Sequence, residues 1–335
     1  MPRPPLSAPV AWLLAAAAAA AVAVSLPVQA QEKFTHQSNW FAQAEHGGYY
    51  QALATGLYKK AGLDVTLKMG GPQVNGLQLL AAGQSDCFMG FDVQTMKAHE
   101  QGIPVVTVAA VFQKDAAVLI AHPGVVNKLD DLKGKTLLIS ADARTSYWPW
   151  LRNTYKLDDR QTRPYTFNVQ PFVADKNIVQ QGYLSSEPYA IEKMAGFKPA
   201  VFLLSDFGWP PYSTTVVCME KTVRERPKAV AAFVKATMEG WKSYLQGDPA
   251  PANMLIKREN PAMTDDQIAV GIRLMKESGM VFGGDAATLG VGVVTDARMK
   301  KTYDMMVQMG LLDPAKVDLT KTYTTQFVKE IKVLP

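Results

Sequence analysis

Residues 34–68, FTHQSNWFAQAEHGGYYQALATGLYKKAGLDVTLK, decide the fold. The apolar residues of 34–40 predict a strand, and the Tyr and Leu residues of 47–60 recur at the spacing of one helix face. Gly62 ends that helix, because glycine adopts the left-handed conformation of a helix C-terminus without strain. The alternating residues 63–68 then predict a second strand. A strand, a helix and a strand in this order predict a βα unit of a mostly parallel sheet.

The same alternation of short apolar runs and amphipathic stretches continues toward the C-terminus. Further strands are predicted at residues 87–91, 105–111, 116–121, 136–140, 183–186, 201–204 and 213–219, and helices at 74–82, 93–101 and 145–155. Beyond residue 226 the pattern is helical, with helices predicted after Arg226, from Thr264 to Ser278 and at 297–309. The fold class is therefore α/β, with the last helices packed around existing sheets.

Two lobes are expected, because a chain of this length can bury two cores and contains no low-complexity linker after its N-terminus. Short crossings are predicted at residues 113–116 and 209–213. The second crossing contains two consecutive prolines, which favour a stiff, extended chain. The predicted division places residues 31–114 plus 213–335 in a discontinuous lobe one and residues 115–212 in lobe two.

The N-terminus predicts export. Arg3 is followed by an almost entirely apolar stretch at residues 10–26 and by small side chains before a cleavage site, which we place after Ala30. Residues 1–30 are thus predicted to be a cleaved signal peptide, and the mature protein to be periplasmic. An uncleaved membrane anchor is the alternative, although the apolar stretch is slightly short for a spanning helix.

Charge and cysteine usage exclude several classes. The net charge of +5 is scattered, so the basic patch of a nucleic-acid-binding protein is missing; the surplus favours anionic ligands or an acidic partner surface, or serves only solubility. Cys87 and Cys218 each lie in an apolar run, which predicts buried free thiols in two strands, a disulfide being the alternative that an oxidising compartment allows. Four histidines in all argue against a His-rich metal site, and we expect no cofactor.

Five short blocks carry a family resemblance. They are Asn39-Trp40 with EHGGYYQA at 45–52, GLYKKAGLDV at 56–65, LAAGQSDC at 80–87, GIPVV at 102–106 and DLKGK at 131–135. In this order they resemble periplasmic binding proteins related to the thiamine-pyrimidine synthases, which are grouped with the sulfonate, taurine and nitrate binders of ABC importers. Two positions depart from the family pattern. Cys87 replaces a phenylalanine, and Asn39 lies seven positions before His46 instead of three.

The resemblance implies a type II periplasmic binding protein fold, in which two α/β lobes close on a small-molecule ligand by hinge motion. It also implies an ABC permease with its cytoplasmic ATPase as partners, and we expect a monomer. The eukaryotic relatives are pyrimidine synthases with a cysteine-rich motif that this sequence lacks, so we expect a binding protein and not an enzyme. A ligand-sensing receptor is a further alternative.

The first candidate site segment contains Asn39, Trp40, Glu45 and His46. In such a fold, ligands bind at the carboxyl ends of strands and against helix N-termini. Trp40 is suited to stacking on a flat ring, and Asn39 to hydrogen bonding along the edge of that ring. The alternatives are that Trp40 is a core aromatic and that His46 only contacts the start of a helix.

The remaining candidates lie in four later segments. Gly71 allows close backbone approach next to Gln73, or belongs to an ordinary turn, while Asp92 either caps a helix or accepts ligand N–H groups. Arg144, Thr145 and Ser146 open a helix of lobe two, where the guanidinium suits an anion or stays solvated. The last candidates are Glu187, which the resemblance suggests as an acceptor for ligand amino groups, and Trp209 and Tyr212, which lie near a crossing.

The ligand stays open between two classes. An aromatic side chain near Asn, Glu and Asp favours a small heteroaromatic ring with amino groups, such as a thiamine-pyrimidine precursor. Arg144 and the basic balance favour a small organic anion such as a sulfonate, taurine, nitrate or an aromatic carboxylate. The pyrimidine-like ligand is slightly preferred.

Overall fold

The computed structural model describes residues 1–2 and 31–335, so the predicted signal peptide and its cleavage site lie almost wholly outside the described residues. The strands are β1 (Glu32–Gln37), β2 (Leu63–Lys68), β3 (Cys87–Gly90), β4 (Val105–Phe112), β5 (Ala117–Ala121), β6 (Thr136–Ile139), β7 (Thr162–Pro164), β8 (Ile178–Tyr183), β9 (Ala200–Leu203) and β10 (Ser213–Met219). The helices are α1 (Gly47–Ala54), α2 (Leu57–Lys60), α3 (Gly76–Ala81), α4 (Asp92–Glu100), α5 (Ala141–Thr145), α6 (Tyr147–Tyr155), α7 (Gln170–Ala174), α8 (Glu187–Ala195), α9 (Glu220–Glu225), α10 (Pro227–Gln246), α11 (Ala250–Glu259), α12 (Asp265–Glu277), α13 (Ala286–Leu289) and α14 (Asp296–Gln308).

The strands form two five-stranded sheets, one for each lobe. Their orders are β2-β1-β3-β10-β4 in lobe one and β7-β6-β8-β5-β9 in lobe two. As expected, the sheets are mostly parallel, because four of the five strands in each run in the same direction, but one strand in each sheet is reversed. β10 runs antiparallel to β3 and β4, and β5 runs antiparallel to β8 and β9. Each of these is the first strand after the chain crosses from the other lobe, and it enters its sheet in the opposite direction.

The chain crosses between the sheets after Phe112 and again before Ser213, and the two crossings are tied together. Trp209 Nε1 donates a 2.7 Å hydrogen bond to Asp115 Oδ2, which joins one crossing to the other. Arg298 of α14 donates to the carbonyl oxygens of Gln113 at 2.9 Å and Pro210 at 3.1 Å. A helix from the C-terminal region therefore braces both crossings. The lobe boundaries at 114/115 and 212/213 remain a proposal.

The core of lobe one is formed where α1 packs against α10. Gly47 and Gly48 open α1. A Cβ atom at Gly47 would lie 2.0 Å from the Tyr244 ring, and one at Gly48 would lie 2.2 Å from the Trp241 ring. The paired glycines therefore permit close helix packing. A second apolar cluster joins the lobes, because Met299 and Met306 of α14 pack together with residues of α4, β5 and α6.

Three local predictions are corrected. The helix expected at 47–60 is two helices, since Gly56 has a φ of 72° and separates α1 from α2. The strand expected at 183–186 lies too late in the sequence, because β8 ends at Tyr183. The buried polar residues Gln180 and Gln181 interrupt the apolar pattern by which β8 would have been recognised. Asp92 is not the cap of α4, because Phe91 occupies the N-cap position and Asp92 is the first helical residue.

The expectation of free thiols is also wrong, because Cys87 and Cys218 form a disulfide. They lie directly opposite each other on the antiparallel strands β3 and β10, and their Cα atoms are 4.1 Å apart. Both residues are fully buried. The apolar surroundings predicted burial correctly, but pairing depends on strand register, which is not visible in either run.

In the part of the chain that the structure describes, no helix combines the length and apolar character needed to cross a bilayer.

Candidate ligand-binding cavity

A cavity of about 580 Å³, solvent at its mouth included, lies between the two sheets. Lobe one contributes Asn39, Trp40, Gln43, Glu45, His46, Met89, Phe91 and Thr214, and lobe two contributes Ser140, Asp142, Ala143, Ser146, Tyr147, Gln181, Gly182, Tyr183 and Glu187. Most of these residues follow the carboxyl end of a strand or open a helix.

An aromatic group forms one side of this region. The Trp40 ring lies within 13° of parallel to the Tyr165 ring of lobe two, with centroids 6.1 Å apart. Phe167 meets Trp40 edge-on at 6.1 Å, and Phe41 does so at 6.3 Å. Trp40 is therefore held in a fixed orientation, while its own side chain stays only half-buried and lines the cavity.

Glu187 opens α8 and is fully enclosed. Its Oε2 accepts a 2.8 Å hydrogen bond from the backbone N–H of Tyr183, and its Oε1 accepts a 3.2 Å bond from the Tyr165 hydroxyl. Burial raises the pKa of Glu187 to about 7, because the charged form loses its hydration and these hydrogen bonds compensate only in part.

Two further carboxylates face the cavity. Asp142 accepts hydrogen bonds from Asn39 Nδ2 at 3.2 Å and Gln94 Nε2 at 2.8 Å, and burial raises its pKa to about 6. Glu45 accepts a hydrogen bond from the Ser185 hydroxyl, and burial raises its pKa as well. Burial thus favours the neutral form of all three carboxyl groups, and a cationic or N–H-rich group beside them would favour the ionised form.

The other polar side chains of the walls are neutral, and three of their polar atoms make no hydrogen bond. Burial lowers the pKa of His46 to about 4, so its imidazole is uncharged at neutral pH. His46 Nδ1, Gln43 Nε2 and the Tyr147 hydroxyl are buried without a hydrogen bond. Among the described residues that line this cavity there is no Lys or Arg. The walls thus offer carboxylate acceptors and neutral hydrogen-bonding groups.

The structure brings six of the predicted site residues to this cavity: Asn39, Trp40, Glu45, His46, Ser146 and Glu187. Their contact with a ligand remains a prediction. Within residues 1–2 and 31–335, no group of three or more His, Cys, Asp or Glu is arranged to hold a metal ion.

Gly71 and Gln73 lie outside the cavity. Gly71 faces the Phe41 ring, which a Cβ atom at this position would approach to 3.2 Å. Gln73 Nε2 donates a 3.1 Å hydrogen bond to the Tyr165 carbonyl oxygen, so this side chain joins the two lobes. These residues shape the closed form of the protein and do not line the cavity.

Asp92 and Tyr212 also lie outside it and belong to the region of the crossings. Asp92 Oδ2 accepts hydrogen bonds from the Tyr212 backbone N–H at 3.3 Å and the Thr302 hydroxyl at 3.0 Å. The Tyr212 ring carries the Arg298 guanidinium 4.4 Å from its centroid. Trp209, bonded to Asp115, completes this cluster, so the polar groups of these predicted site residues are occupied by the protein itself.

Arg144 and Thr145 line another cavity together with Gln94. Arg144 Nη1 donates a 3.0 Å hydrogen bond to Thr162 Oγ1, and Thr145 Oγ1 accepts a 2.9 Å bond from Gln94 Nε2. Arg144 is therefore placed away from the carboxylate-lined cavity. The guanidinium that favoured an anionic ligand does not reach that site.

Sequence reasoning missed several cavity residues, above all Gln43, Asp142, Tyr147 and Gln181. Gln43 lies inside the first predicted segment, between Trp40 and Glu45, and Asp142 and Tyr147 are the two ends of the predicted segment that contains Arg144. Gln181 lies on β8, the strand hidden by its polar composition. Its Oε1 accepts a 2.5 Å hydrogen bond from the Ser140 backbone N–H and thereby fixes the start of α5.

Comparisons with known proteins match the chain to one protein family. The NMT1/THI5 like family matches residues 43–252. The formylaminopyrimidine-binding protein of Halalkalibacterium halodurans is 20% identical over 285 residues, which are 77% of this chain and 82% of that protein. The 4-amino-5-hydroxymethyl-2-methylpyrimidine phosphate synthase THI11 of Saccharomyces cerevisiae is 22% identical over 243 residues, 66% of this chain and 69% of that enzyme.

A solved structure supports the fold. The alkanesulfonate-binding protein SsuA of Xanthomonas axonopodis pv. citri, bound to MOPS, superposes with a TM-score of 0.63 at 14% identity, over 88% of this chain and 98% of that protein. At this identity the likeness concerns the fold alone. It confirms the predicted α/β fold class, the two-lobed architecture of periplasmic binding proteins.

Proposed function

The chain belongs to the NMT1/THI5-like family, and from this premise we propose that it is an extracytoplasmic solute-binding protein that delivers a small nitrogen heterocycle carrying amino groups to an ABC importer. The lobes close around the ligand, and the closed form docks on a membrane permease served by a cytoplasmic ATPase. The predicted signal peptide supplies the route to the periplasm.

The observation that carries the ligand class is the charge of the cavity. Glu45, Asp142 and Glu187 are carboxylates with raised pKa values, and no cationic side chain balances them among the described lining residues. An anion ~5 Å from an ionised carboxylate is repelled by about 3 kcal/mol at an effective dielectric constant of ~20. Amino groups and protonated ring nitrogens meet the opposite condition, because each carboxylate oxygen can accept one of their hydrogen bonds.

The aromatic wall supports a flat ligand. Trp40 is held by Tyr165 and Phe167, and its remaining exposed surface lines the cavity. A ring stacked on Trp40 would place its edge toward the polar groups of the surrounding walls. This proposal agrees with the name of the Halalkalibacterium relative, a formylaminopyrimidine-binding protein, because a formylaminopyrimidine is a ring of this class.

A binding role is preferred to catalysis because of the disulfide. The yeast relative is a synthase, yet Cys87 and Cys218 are bonded to each other and fully buried in the core. Neither sulfur can act as a nucleophile or as a metal ligand while this bond is intact. Transport remains preferred to sensing because the fold is that of ligand-binding components of importers.

The decisive experiment is a thermal-shift and calorimetry screen of residues 31–335. The panel contains aminopyrimidines, cytosine, taurine, alkanesulfonates, nitrate and aromatic acids. An aminopyrimidine at about 100 times its Kd should stabilise the protein by about 2.7 kcal/mol, a rise in Tm of roughly 4 °C for a chain of this size. Binding of sulfonates or nitrate with no response to amino heterocycles would contradict the ligand class, and measurable turnover of a bound compound would contradict the binding role.

A further inference from the structure

We propose that Gln43 makes recognition of a hydrogen-bond acceptor on the ligand conditional on lobe closure, through its hydrogen bond to Ser186. This inference rests on the proposed function and names a specificity residue within it. The ligand it selects carries a ring nitrogen or carbonyl acceptor in addition to its amino groups.

The hydrogen bond between Gln43 and Ser186 crosses the lobes. Gln43 lies between β1 and α1 of lobe one, and Ser186 lies between β8 and α8 of lobe two. The Ser186 hydroxyl donates a 2.8 Å hydrogen bond to Gln43 Oε1, and both side chains are almost fully buried. This bond can form only when the lobes are closed.

In the structure the Gln43 amide is oriented with its oxygen toward Ser186. With Oε1 accepting from Ser186, the Nε2 group is the free end of the side chain, and it is buried without a partner on a residue that lines the cavity. A buried N–H donor that lacks an acceptor destabilises the closed form until something supplies one. A ligand acceptor placed against Nε2 therefore stabilises closure directly.

A neighbouring pair repeats this arrangement with the opposite polarity. Ser185 donates to Glu45 across the same lobe boundary, and Glu45 is an acceptor that lines the same cavity. Two adjacent serines of lobe two thus fix one donor and one acceptor of lobe one. The complementary ligand edge contains both an N–H donor and an acceptor, as an amino group beside a ring nitrogen provides.

Sites built to hydrogen-bond a polar group reject analogues that lack this group, because the protein group is then left unpaired. We therefore expect the wild-type protein to bind 4-amino-2-methylpyrimidine at least tenfold more tightly than one or both of the aminopyridines obtained by replacing one ring nitrogen with C–H, when all three compounds are compared at a pH high enough to keep their rings neutral. The Gln43→Met variant keeps the side-chain length but removes the donor. It should bind the pyrimidine and the pyridines within about twofold of one another.

The test is isothermal titration calorimetry of these three compounds with the wild type, Gln43→Met, Ser186→Ala and the control Gln308→Met, whose side chain is exposed on α14. Ser186→Ala frees the amide to rotate and should lose part of the discrimination, which keeps the test valid if Gln43→Met does not fold. The control should match the wild type. Unchanged discrimination in folded Gln43→Met and Ser186→Ala proteins would overturn this inference and leave the proposed function standing. Failure of the wild type to bind any of the three would remove both.

Discussion

The disulfide between Cys87 and Cys218 gives the most quantitative prediction. It closes a loop with a sequence separation of 131, and this loop contains every strand of the lobe-two sheet. In the chain-entropy description, a cross-link over a loop of this length stabilises the folded state by about 5 kcal/mol at 25 °C, because it restricts the unfolded chain. Removing it should lower Tm by roughly 10 °C.

The perturbation is a set of three variants, Cys87→Ala, Cys218→Ala and the double variant. Either single substitution already abolishes the cross-link. Each single variant should therefore lose nearly the whole effect, and the double variant should lose little more. Such non-additivity separates a cross-link from ordinary packing, for which the two losses would sum.

The assay is urea unfolding of the oxidised wild type, the wild type unfolded and refolded in reductant, and the three variants. The reduced wild type should match the double variant. Mild reductant without urea should leave the native protein unchanged, because both sulfurs are fully buried. The reasoning would be refuted by either of two results. One is two alkylatable thiols in the denatured, exported protein; the other is a double variant whose free energy of unfolding lies within about 1 kcal/mol of that of the oxidised wild type.

Three further predictions concern the cavity and the crossings. Trp40→Ala should remove the ligand-induced thermal shift, because stacking of a base on an aromatic ring contributes about 1–3 kcal/mol. The control variant Phe207→Ala, which removes an exposed aromatic side chain, should keep the shift. An unchanged shift in Trp40→Ala would exclude that ring from the site. Since Glu187 has a pKa raised to about 7 from 4.5, the folded protein binds the extra proton, and the wild type loses stability as pH rises through this window. Glu187→Gln should therefore equal the wild type below about pH 4 and exceed it at pH 8 by on the order of 3 kcal/mol in ligand-free urea titrations, and a pH-independent difference would contradict this assignment. Arg298→Ala should lose about 2 kcal/mol of stability and should have a larger ligand-free radius of gyration in solution scattering. The control variant Arg273→Ala, whose exposed side chain pairs with Glu277, should show neither effect. Equal radii for both variants would show that Arg298 does not brace the crossings.

Much of the fold was predictable because its strongest strands are regular. The predicted strands at 63–68 and 213–219 agree with β2 and β10 at both ends. β8 was mislocated, since the buried Gln180 and Gln181 break the apolar pattern of a central strand. The direction of β5 and β10 was missed because pairing direction is set by the path between lobes, and no local pattern records it.

The lining of the candidate cavity was predictable where its residues follow a strand in sequence, as Asn39, Trp40, Glu45 and His46 do. It was not predictable where a side chain is occupied by a distant partner. Arg144 bonds Thr162, and Tyr212 contacts Arg298, so these two polar residues of suitable type serve the protein instead of lining the cavity. Composition indicates which residues can bind a ligand, but only the tertiary partners show which of them are free to do so.

The central place of β10 constrains how the protein can be made. β10 lies between β3 and β4 and pairs with both of them. Without β10, the strands β1 to β4 therefore leave a gap in the lobe-one sheet between β3 and β4. A chain that crosses a membrane from its N-terminus must therefore emerge as far as residue 219 before this sheet can close. The strands of lobe two all precede β10 in the sequence. We expect that the lobe-one sheet closes only after they have been released, although its own sequence begins the chain, and that truncation before β10 leaves lobe one open and protease-sensitive.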